Sequence, residues 1–124
     1  MESHWKSNSI IRLTRSLFDQ FYKKKSLAEI SRIELLFEQR KYKKVQRIGL
    51  PLIDAWERAL GNHSSAIRGI YTLAQAVSQN GNYAKAEELL EQVAFKLDGR
   101  LYQEDIIIVL RDYMSAQKQI DEKK

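Results

Sequence analysis

Apolar residues recur along this chain at three- and four-residue spacing, in long runs interrupted by one proline and five glycines. That periodicity places successive apolar side chains on one face of a helix. A first helix presents Ile10, Leu13, Leu17 and Phe21, widened by Ile11, Phe18 and Tyr22, with Ser7, Asn8 and Ser9 as candidate N-caps. A second is expected to open at Ser26, where Glu29 three residues on completes a capping-box pattern, and to bury Leu27, Ile30, Ile33, Leu36 and Phe37. A third runs from Tyr42 through Val45, Ile48, Leu52, Trp56 and Leu60 to Gly61. Pro51 lies inside it and predicts a kink or break near Gly49–Pro51, because proline lacks an N–H and clashes with the preceding turn.

The sequence NHSS caps a fourth helix through Ile67, Ile70, Tyr71, Ala74 and Val77, which stops at Asn80-Gly81. A fifth carries Tyr83, Ala86, Leu90, Val93 and Leu97 and stops at Asp98-Gly99. A sixth starts near Leu101 with Ile106, Val109, Leu110 and Tyr113, and the tail from 119 to 124 frays. The run EDIIIVLRDY is β-branched enough for a strand, but no other segment offers it a partner for its backbone hydrogen bonds. The expected fold is therefore all-α, a single domain of about six helices. Its parts are an N-terminal amphipathic helix at 1–25, hairpins at 26–62 and 63–99, and a capping helix at 100–118.

Ala66 to Gly99 spans 34 residues that resemble a tetratricopeptide repeat. Leu73-Ala74 supplies a large residue followed by a small one, Val77 the inward position one turn later, and Gly81 the inter-helix turn. Tyr83, Ala86, Leu90 and Val93 complete the pattern. Ile70 stands where the family often has tryptophan, and Asp98 where it has proline. A degenerate second copy aligns Tyr42 with Tyr83, Val45 with Ala86 and Leu52 with Val93, while Arg40 replaces the turn glycine and Ile33 the small alanine. The resemblance implies antiparallel helix hairpins, and a groove lined by the first helix of each repeat. Carried onto the better copy, the groove residues are Arg68, Tyr71, Gln75 and Ser78, although Tyr71 has a core reading as well. The two-lysine, two-asparagine clamp that grips a C-terminal carboxylate in some members is missing, so that ligand is not implied.

Composition narrows the chemistry. The 124 residues are 44% apolar and 30% charged, enough for one packed core with a solvated surface. Cysteine is absent, which removes disulfides, thiolate ligands and a thiol nucleophile. No secretory signal pattern opens the chain and no stretch approaches the roughly 18 apolar residues of a membrane span. A soluble, cytoplasmic protein is expected. His4 and His63 have no companions at metal-ligand spacing, no glycine-rich phosphate loop exists, and no serine sits in a nucleophile elbow. The carboxylates Glu34/Glu38 and Glu87/Glu88/Glu91 read as solvated helix faces rather than a cation site. Neither catalytic residues, nor a metal site, nor a cofactor is expected.

The net charge of +5 is unevenly spread: residues 1–25 hold six Lys/Arg against two acids, whereas 63–99 hold three against four. An acidic partner at one end is the natural inference. Arg40, Lys43, Lys44 and Arg47 recur at helical spacing as a positive patch, either a dock for acidic peptide or phosphate or simply a solvated face. The apolar N-terminal helix either caps the hairpins or stands as an arm for a second copy or a partner. A membrane-surface helix is a third reading. The function expected is a non-enzymatic protein–protein interaction module, an adaptor or small chaperone holding a peptide or helix, with nucleic-acid binding through the basic first half as the alternative.

Overall fold

The computed structural model describes residues 2–96, together with 111, 114–118, 120 and 122. The described residues form five α-helices and one 3-10 turn, with no strand among them. Helix α1 is Glu2–Glu38 and α2 is Tyr42–Gly49. A 3-10 turn at Leu50–Leu52 leads into α3, Ile53–Leu60. Helices α4, Ser64–Gln79, and α5, Tyr83–Lys96, form a hairpin, and residues 114–118 are helical as well. The all-α expectation holds. The expected stop at Gly99 and the start of a sixth helix near Leu101 lie outside the described residues.

Two boundaries differ. Helix α1 begins at Glu2, so Ser7, Asn8 and Ser9 lie within it rather than capping it. The chain does not break at Ser26: the two helices expected at the N-terminal end are a single helix of 37 residues. Ser26 is buried inside it and caps nothing. Neither glycine nor proline occurs between residues 2 and 38, so no residue there releases the backbone from the helix. Pro51, in contrast, acts where expected. It occupies the 3-10 turn that separates α2 from α3, at a place where its missing N–H costs least.

Two of the inter-helix turns share one geometry. At the end of α1, Lys41 N–H donates to Leu36 O at 3.0 Å and Arg40 N–H to Phe37 O at 2.9 Å. At the end of α4, Asn82 N–H donates to Val77 O at 3.1 Å and Gly81 N–H to Ser78 O at 2.9 Å. Both are Schellman closures, which require a left-handed residue at the second position of the turn. Gly81 has φ +85, and Arg40 has φ +61. The following helices begin alike, with Val45 N–H bonded to Lys41 O and Ala86 N–H to Asn82 O. Ile33 matches Ala74, Leu36 matches Val77 and Val45 matches Ala86 as buried positions.

Helix α4 is the centre of the core, touching α1, α2, α3 and α5. Ile70, Leu73, Ala74, Ala76 and Val77 are fully buried, and they meet Ile30 and Ile33 of α1, Val45 of α2, Trp56 of α3 and Leu89, Leu90 and Val93 of α5 in one cluster. Two glycines allow this density. A Cβ on Gly69 would lie 2.8 Å from Ile30 Cγ1, and one on Gly49 would lie 2.8 Å from Leu73 Cδ1 and 3.0 Å from Ile33 Cδ1. Met114, in the C-terminal helical stretch, joins the same cluster.

Candidate interaction face

Between Ser65 and Ser78 every residue of α4 is buried except four: Arg68, Tyr71, Gln75 and Ser78. Their spacing of three and four residues places them in one line along the helix. His63 starts that helix as its N-cap, Nδ1 accepting from Ser65 N–H at 3.1 Å. Thr72 turns its hydroxyl back onto Arg68 O at 2.9 Å and so adds nothing to the surface line.

Each of the four is differently engaged. Arg68 Nε donates to Glu34 Oε1 at 2.9 Å, tying the line to α1 through a pair that remains partly open to solvent. Tyr71 is half-buried, and burial raises its phenol above the ordinary tyrosine value, while a hydrogen bond with Gln75 pulls the other way. Across the junction α1 contributes Glu34, which is not fully buried. The face thus combines a charged pair, an amide, a hydroxyl and an aromatic ring.

The basic residues are not one stripe. Arg40 lies in the left-handed turn before α2 instead of on the helix, which removes it from the expected helical line. Lys43 and Arg47, one turn apart, line an open recess of about 470 Å³ with Gln46, Leu50, Pro51, Asn80 and Asn82, and Lys44 is not part of it. Asn80 bridges the two hairpins there, its Nδ2 donating to Tyr42 O at 3.1 Å and to Gln46 Oε1 at 2.7 Å. Sequence reasoning treated Asn80 only as a helix stop. Its second role was not readable from spacing, since both acceptors belong to another helix.

Two of the carboxylates on α5 are engaged by neighbours within the chain. Glu87 accepts from Ser115 Oγ at 2.9 Å and Glu88 pairs with Lys85 at 3.2 Å. No group of three or more His, Asp or Glu side chains among the described residues is arranged to hold a metal ion. A more enclosed cleft of about 550 Å³ lies where α1 passes α3, lined by Asp19, Tyr22, Lys23, Lys25, Ser26 and Glu29 on one side and by Leu52, Ala55, Arg58 and Ala59 on the other. No described helix is long and apolar enough to cross a membrane.

Compared with known proteins, the chain matches no family model, no curated protein and no solved structure.

Proposed function

We propose that this protein is a non-enzymatic interaction module, an adaptor or small chaperone that holds a peptide or helix of another protein across α1 and α4 of a tetratricopeptide-like hairpin pair. The observation that carries the proposal is the line of Arg68, Tyr71, Gln75 and Ser78 on an otherwise buried helix. A helix so enclosed keeps a rigid backbone, and a rigid backbone holds those four side chains in place before a ligand arrives, which lowers the entropy cost of binding. The recurrence of the same turn at Arg40 and Gly81 supports the hairpin-pair reading, because it orients α1 and α4 as equivalent first helices.

A photo-crosslinking amino acid placed at Gln75 or Ser78 tests it. A discrete partner protein captured there, and not from a control position at Lys85 on α5, is the expected result. The nucleic-acid alternative draws on the excess of Lys/Arg in the first half. It predicts recovered material that nuclease destroys and that dissociates steeply with salt. Capture that survives both treatments decides for the protein partner.

A further inference from the structure

Residues 10–25, the N-terminal part of α1, are exposed on every side. Ile10, Ile11, Leu13, Leu17, Phe18, Phe21 and Tyr22 are between 50% and 67% exposed. Taken at 100° per residue, these seven side chains cover roughly half of the helix circumference. The same count puts the centre of this stripe roughly 110° from the face that Ser26, Ile30, Ile33 and Leu36 bury in the core. The body of the protein therefore lies to one side of the stripe's centre, where Tyr22, at the stripe's edge, lines the cleft against α3. That twist of the two stripes is invisible in the periodicity of either half.

Charge selects the kind of surface. Residues 10–25 carry Arg12, Arg15, Lys23, Lys24 and Lys25 against the single acid Asp19. Asp19 lies in the cleft toward α3, outside the apolar arc by its helical position. Lys24 and Lys25 fall within the apolar arc at its inner end, and Arg15 borders it, so its charges are all positive. Two such arms side by side, parallel or antiparallel, would bring cation against cation, which opposes pairing of two copies. An apolar arc this wide also exceeds the narrow seam through which one helix meets another. Anionic lipid meets every requirement: it is flat, apolar beneath its headgroups and negatively charged, and lysine stems reach outward to the headgroups from an embedded face.

We propose that residues 10–25 form a docking helix for an anionic membrane surface, lying in the headgroup plane with Leu13, Leu17 and Phe21 inserted. This proposal is independent of the α4 face and stands whether or not a peptide binds there. It extends to a lipid partner a chain that has no membrane-crossing helix among its described residues.

The test is co-sedimentation of the full chain with vesicles of phosphatidylcholine alone or mixed with phosphatidylserine, across a salt series. Binding should favour the phosphatidylserine vesicles and weaken with salt. Lys23→Gln, Lys24→Gln and Lys25→Gln together should weaken it about a hundredfold. The triple variant Leu13→Ser, Leu17→Ser, Phe21→Ser should abolish it while circular dichroism and melting remain those of the folded protein, because none of the three is buried. Equal binding to both vesicle types, or no binding to either, overturns the proposal. Concentration-dependent dimerisation lost in the same triple variant, without lipid binding, also overturns it and assigns the stripe to a second copy.

Discussion

Arg40 occupies the place in the α1–α2 turn that Gly81 occupies in the α4–α5 turn, with the same two backbone hydrogen bonds and a left-handed φ in both. For glycine that conformation is free of steric cost. For a side chain bearing Cβ it is strained by about 1–2 kcal/mol, through contact with the following carbonyl. The two turns are therefore equal in geometry and unequal in stability.

Arg40→Gly should stabilise the protein. Relief of strain exceeds the extra freedom that glycine gains in the unfolded chain, leaving a net gain of about 0.5–1 kcal/mol. Gly81→Val should do the reverse and cost about 2 kcal/mol. Nothing lies within 4 Å of a Cβ at Gly81, so that loss would be backbone strain alone. Urea denaturation of both variants checks the pair, and an unchanged midpoint for Gly81→Val would refute the turn assignment.

Gly69→Ala should destabilise despite alanine's better helix propensity. The new methyl would meet Cγ1, Cγ2 and Cδ1 of Ile30, which is fully enclosed and has no room to step aside. The expected net cost is about 1–2 kcal/mol. Ile30→Ala alone leaves a cavity, but in the Gly69→Ala background it should cost distinctly less. A double-mutant cycle reads that coupling directly; additive costs would show that the two residues do not constrain each other.

Arg68→Gln should leave melting nearly unchanged. Its pair with Glu34 is open to solvent, with Arg68 about half exposed, and such pairs are worth less than about 1 kcal/mol. Loss of partner capture with intact stability would place Arg68 in recognition. Loss of the fold would place it in the scaffold instead.

Tyr71 should be among the last tyrosines to ionise. Its phenol is shifted upward by burial, so the folded state holds this proton more tightly than the unfolded state does. The resulting stabilisation is complete below the ordinary tyrosine value of 10.0 and is lost as pH rises through the higher folded value. Ultraviolet titration of the native protein and of Tyr71→Phe should differ by a late-ionising component, present only in the former. A difference confined to pH below 10 would contradict the burial of that ring.

Much of the fold was legible in the chain. The α4–α5 hairpin followed from helical spacing and from Gly81, and the break before α3 followed from Pro51, because glycine and proline act on their own backbone. The line on α4 was named through the resemblance to a repeat family, and burial of every other residue from Ser65 to Ser78 leaves those four at the surface. What failed was the boundary at Ser26. A capping pattern satisfies a helix start only where the chain has already left the helix, and no residue between 2 and 38 compels that. Arg40 was recognised as standing at the turn position, yet its positive φ and its separation from Lys43 and Arg47 depend on how α1 closes.

The sequence by itself determined which segments are helical, where two of the turns fall and which face of each helix is apolar, since these depend on interactions within a few residues. Tertiary structure alone decided what each apolar face meets. It turned Gly49 and Gly69 into points of close approach, joined Asn80 to α2, and left the stripe of residues 10–25 uncovered while that of Ile30 and Ile33 was buried. Periodicity defines a face but not its neighbour, because burial requires a second surface brought from far along the chain or from another molecule.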